Sequence, residues 1–85
     1  MVSQVRNVSA EERIISMISW SLNVPSTKIH PYTNLQNDLN LDKIDLILLI
    51  AELENRFDVY LTKEQVESIE TVSDATFLLT ARVAA

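Results

Sequence analysis

The feature that most restricts this chain of 85 residues is an absence: it contains no glycine. The chain must therefore make its turns with Asn, Asp, Ser and its two prolines instead. No glycine-rich phosphate loop and no dinucleotide fingerprint can be built. Cysteine is absent too, which removes disulfides, zinc-thiolate sites and thiol catalysis. Stability has to come from apolar packing, and a hydrophobic fraction of 47% is ample for one small domain.

Helical periodicity runs through most of the chain. Residues 1–8 read as a flexible arm without the apolar stretch of a signal peptide, followed by a single domain over 9–85. Ser9 and Glu12 form an S-x-x-E capping box, and Ile14, Ile15, Ile18 and Leu22 follow as one stripe, which predicts a helix over Ala10–Leu22. Pro25 ends it. A long connection over 23–40 is expected to be pinned by Ile29, Leu35 and Leu39. Asp42 caps a second helix running to about 56, with Phe57 closing it and Asn40 suited to a left-handed turn just before it. Val59 and Leu61 point inward from a short link. Thr62 and Gln65 open a short third helix through Ser68, and Thr71 or Ser73 caps a fourth whose apolar side holds Val72, Ala75, Phe77, Leu78 and Leu79. The fold class is all-α: an irregular four-helix bundle with three longer helices, one short helix and a long first loop.

The second helix has two apolar faces. Leu46, Leu49, Ile50, Leu53 and Phe57 share one side, and Ile44, Ile47, Leu48 and Ala51 share the side nearly opposite. Asp45, Glu52 and Arg56 form a polar strip along one boundary, with Lys43 and Glu54 along the other. A helix packed on both sides would explain the pattern. In so small a domain the long connection can cover only part of the second stripe, so an exposed docking patch is the favoured reading.

The formal charge of −5, from 12 acidic and 7 basic residues, argues against a nucleic-acid partner and suits a basic or apolar protein surface. The longest apolar run, 46–51, is too short to span a bilayer, so a cytoplasmic location is expected. The sole histidine, His30, lies in the loop, and the pairs Glu11–Glu12 and Glu52–Glu54 read as solvated helix faces. No enzyme site and no metal site is expected.

The run Asp38-Leu39-Asn40-Leu41-Asp42-Lys43-Ile44-Asp45 resembles the acyl carrier protein signature D-L-G-x-D-S-L-D. The likeness continues through Leu49, Leu53, Glu54 and Phe57-Asp58 to Ile69-Glu70-Thr71-Val72-Ser73-Asp74-Ala75, and covers about residues 9–82. In that alignment Asn40 stands at the family's glycine and Lys43 at its serine. The resemblance implies that 4'-phosphopantetheine would be carried on the serine hydroxyl. Lys43 offers an ammonium instead, so no prosthetic group is expected unless serine stands at 43. The resemblance also implies a partner surface on the second helix. Here that surface comprises Asp42, Ile44, Asp45, Ile47, Leu48, Ala51, Glu52 and Glu54, less acidic and more apolar than is usual for the family.

Two readings follow. The first is a non-carrying interaction or scaffold protein associated with fatty-acid, polyketide or related lipid biosynthesis. It would bind a biosynthetic enzyme or another carrier protein, or self-associate through helix two. The alternative is a genuine acyl carrier whose serine was replaced by design to keep it unmodified.

Overall fold

The computed structural model describes residues 9–81. The arm expected over 1–8 lies outside the described residues, as does the end of the domain over 82–85. Among the described residues there are four α-helices: α1 Ala10–Leu22, α2 Lys43–Phe57, α3 Lys63–Ser68 and α4 Val72–Thr80. The bounds follow the sequence signals closely, because each helix starts at a reciprocal capping box. Ser9 pairs with Glu12, Asp42 with Asp45, Thr62 with Gln65 and Thr71 with Asp74. Each box satisfies backbone N–H groups that have no partner inside the helix. The fourth cap is Thr71, not Ser73.

The chain solves its glycine-free turns in one repeated way. The left-handed residues among those described are Asn23, Asn40 and Asp58, with φ of 58°, 58° and 56°. After each, the next backbone N–H reaches five residues back. Val24 donates to the Ser19 carbonyl at 3.1 Å, Leu41 to Gln36 at 2.9 Å and Val59 to Glu54 at 3.0 Å. This is the six-to-one closure that commonly follows a helix end, with Asn or Asp in place of glycine. It also carries α2 one residue past the expected end, to Phe57.

The core gathers Ile14 and Ile18 of α1, Leu46, Leu49, Ile50 and Leu53 of α2, and Val72, Ala75 and Leu79 of α4, together with Ile29, Leu35 and Ile69 from the connections. α1 packs on both α2 and α4, and the Arg13 guanidinium lies 4.8 Å from the centre of the half-buried Phe57 ring. Phe57 is thus partly sheltered rather than central. Phe77 departs from expectation: it is 70% exposed and does not join the apolar side of α4.

The long connection is more ordered than a pinned loop. It holds a 3₁₀ turn at Ser26–Lys28 and a run of turns over 35–40. Ile29 and Leu35 are buried as expected, and Leu39 is half-buried. Backbone hydrogen bonds hold it as well. Leu35 N–H donates to the Glu70 carbonyl at 2.8 Å, Val72 N–H to Thr33 at 3.1 Å and Ser73 N–H to Pro31 at 2.9 Å. Asn34 and Thr71 form a single antiparallel bridge. The buried Thr33 hydroxyl accepts from His30 N–H at 2.8 Å, and the exposed His30 ring stacks on Tyr32. The long loop is thereby stitched to the start of α4.

Asp74 sits at this seam. Its carboxylate accepts from Glu70 N–H at 2.9 Å and from Thr71 N–H at 3.1 Å. These donors hold it below the ordinary value of 3.8 against a smaller opposing effect of burial. Because the folded value is the lower one, the stabilisation is complete above the unfolded value and is lost as pH falls through the folded one. Asp74→Asn is therefore expected to flatten the loss of thermal stability on acidification below about pH 4. Thr71→Ala should cost about 1 kcal/mol by chemical denaturation, as loss of an N-cap does.

Candidate functional site

Packing fixes the rotation of α2. With Leu46, Leu49, Ile50 and Leu53 buried, the opposite side is the one left to solvent. Ile44 is 67% exposed, Leu48 63% and Ile47 46%, and Ala51 is exposed beside them. The connection over 23–42 does not cover this stripe; it runs to the seam with α4 instead. The structure thus brings four of the expected site residues into one apolar patch.

The charged residues around the patch differ in how free they are. Lys43 is the first residue of α2 and is exposed. Asp42 and Asp45 are exposed but tied to one another: Asp45 N–H donates to Asp42 Oδ1 at 2.8 Å, and Asp42 N–H to Asp45 Oδ2 at 3.3 Å. Glu52 Oε1 accepts from the Ser21 hydroxyl of α1 at 2.8 Å. Glu54 is half-buried, and its Oε2 accepts from Leu61 N–H at 2.7 Å. Read from the sequence as a solvated carboxylate, Glu54 also braces the link between α2 and α3.

Two surface grooves flank the patch. One of about 290 Å³ lies between α2 and α3 and is lined by Gln36, Lys43, Leu46, Ile47, Val66 and Glu67. The other, of about 300 Å³, lies between α1 and α2, with Leu41, Asp45, Leu48 and Glu52 on its walls. Farther along this side stands Trp20, 85% exposed, sharing a third depression with Met17, Glu52 and Arg56. Sequence reasoning did not single out Trp20. The signal was available, because Trp20 falls opposite the stripe of Ile14, Ile18 and Leu22 on the same helical wheel. No group of three or more His, Cys, Asp or Glu placed to hold a metal ion occurs among the described residues. No helix among them is long and apolar enough to cross a membrane.

Chemically, the start of α2 lacks an alcohol. From Asn34 to Val59 the chain carries no Ser, Thr or Tyr. The nearest preceding hydroxyl, Thr33, is buried and already engaged. A group attached through a phosphodiester to a side-chain oxygen finds no anchor on α2 or its approach, so the residues present do not fit phosphopantetheine there.

The arrangement is an irregular four-helix domain with a long first loop and an outward-facing second stripe on its central helix. The family model described as phosphopantetheine attachment site matches residues 12–76. An acyl carrier protein of Prochlorococcus marinus (strain MIT 9515) is 35% identical over 71 residues, which span 84% of this chain and 89% of that protein. Among solved structures, a putative acyl carrier protein from Mycobacterium tuberculosis is similar with a TM-score of 0.77 and 30% identity, over 86% of this chain and 97% of that one. The acyl carrier protein from Enterococcus faecalis gives a TM-score of 0.73 and 26% identity, over 87% and 94%. The chain belongs to the acyl carrier protein family, whose members are carriers rather than catalysts.

The two faces of α2 should respond in opposite ways to substitution. Leu46→Ala is expected to cost about 2–5 kcal/mol, since it opens a cavity in the core. Leu48→Glu is expected to leave the stability of the monomer, compared at the lowest protein concentrations, within about 0.5 kcal/mol of the parent, since it changes only surface exposed in the single chain. Urea denaturation of both variants measures the contrast.

Proposed function

We propose that this protein is a non-carrying member of its family, acting as an interaction or scaffold protein in fatty-acid, polyketide or related lipid biosynthesis. Lys43 takes the position of the family's attachment serine. The observation that carries this reading is the hydroxyl-free stretch from Asn34 to Val59, which holds the whole of α2 and its approach.

A lysine at the start of α2 keeps the helix intact but changes its chemistry. The backbone there is still capped by Asp42 and Asp45. The side chain presents three N–H donors and no oxygen nucleophile. The protein has no enzymatic role in this reading and acts in the cytoplasm. Its working surface is the α2 stripe of Ile44, Ile47, Leu48 and Ala51, rimmed by Lys43, Asp42, Asp45, Glu52 and Glu54. This surface suits an apolar or basic face on a biosynthetic enzyme or on another carrier-type chain, its own copy included.

Intact mass after incubation with a phosphopantetheinyl transferase and coenzyme A tests the first half of the reading. The parent is expected to gain nothing. A gain of the arm's mass would overturn the non-carrying assignment. Lys43→Ser under the same conditions is expected to gain one arm, because it restores the alcohol where the α2 cap is already in place.

A further inference from the structure

We propose that the α2 stripe is covered by the same stripe of a second copy, in an antiparallel, two-fold symmetric pair. This rests on the reading of that stripe as an interaction surface and names its partner.

The argument is the distribution of charge along the rims. On one rim of α2, Lys43 stands at the N-terminal end and Glu54 near the C-terminal end. On the other rim, Asp45 stands at the N-terminal end and Arg56 near the C-terminal end. Glu52, also on this second rim, accepts from the Ser21 hydroxyl of α1, just as Glu54 accepts from Leu61 N–H and Asp45 from Asp42 N–H; it stands between the two ends of its rim and leaves their opposite signs in place. Each rim therefore carries opposite signs at its two ends. A two-fold axis perpendicular to α2 lays each rim against the same rim of its partner, running the other way. Lys43 then meets Glu54 of the second copy, and Asp45 meets Arg56 of the second copy.

Both pairs are eleven residues apart in the chain. One axis between the two outward stripes, at the height of residues 49 and 50 along the helix, therefore serves both to within one helical rise, about 1.5 Å. Ile47, Leu48 and Ala51 lie close to that axis and Ile44 a turn away, so the apolar centre and the charged rims share one register. A parallel pair would bring like helix ends together, whereas the antiparallel one opposes the two helix dipoles.

Size bears on the choice as well. Four aliphatic side chains fall short of the roughly 800 Å² that each partner contributes to a standard interface. Trp20, 85% exposed beside Glu52 and Arg56, adds an aromatic surface of about 150–250 Å². Antiparallel pairing places both copies of α1 on the same side, with the two Trp20 side chains near the axis.

The full chain tests this directly. Sedimentation equilibrium over a hundredfold range of concentration is expected to show the mass rising from 9.6 kDa towards twice that value. Emission from Trp20, the single tryptophan, should shift to the blue in parallel. Leu48→Glu should abolish both changes while leaving the circular dichroism of the monomer unaltered. A zero-length carbodiimide cross-link, an amide formed with loss of water, should join Lys43 to Glu54 between isotopically labelled and unlabelled chains. Within one chain the two are roughly 16 Å apart along the helix, too far for such a bond. A monomer at every concentration, a dimer that survives Leu48→Glu, or cross-links from Lys43 to Asp45 of the other copy would each overturn the proposal. None of these outcomes alters the mass assay for the prosthetic arm, so the two readings fail separately.

Discussion

The burial of one side of α2 is the constraint on which the rest of the molecule depends. Leu46, Leu49, Ile50 and Leu53 enter a core built also from α1, α4 and the connections. Once they are buried, the helix cannot turn about its axis without exposing them, at a cost of about 1.5–3 kcal/mol for each side chain. Everything else on α2 is then assigned. Ile44, Ile47, Leu48 and Ala51 face outward, Glu52 reaches Ser21 and Glu54 reaches the link to α3. An apolar surface stripe is thus left where neither a helix nor the connection covers it, which supports the proposed role of this face as a contact surface.

The secondary structure was legible almost to the residue, and the reason is local chemistry. Capping boxes act within four residues, so Ser9–Glu12 and Thr62–Gln65 declare helix starts without any tertiary information. The absence of glycine sharpened the ends in the same way, since Asn and Asp are the residues that best tolerate a left-handed turn. Asn40 was readable on this basis. Asp58 was not, because an Asp after Phe57 has many other uses, and only the Val59 to Glu54 closure shows which one applies.

The candidate site was legible in membership but not in state. The wheel placed Ile44, Ile47, Leu48 and Ala51 together, but whether the long connection covered them depended on where that connection goes. It goes to α4, through backbone bonds from residues 33 and 35 to residues 72 and 70, and such pairing leaves no trace in side-chain periodicity. The same holds for Phe77, which reads as core by composition and stands in solvent because α4 turns Val72, Ala75 and Leu79 inward instead. Trp20 was overlooked for the converse reason: attention to the apolar stripe of α1 passed over an aromatic on its outer side.

The sequence by itself determined the helices, most of their caps, the turn at Asn40 and the absence of any hydroxyl from Asn34 to Val59, because each of these is a property of neighbours in the chain or of residue identity. Only the tertiary structure decided that the second apolar face of α2 is left open by the connection, and that Trp20 stands on the same side of the molecule as Glu52 and Arg56. Those are relations between segments far apart in the chain, set by packing and by backbone pairing across the fold, and no local pattern encodes them.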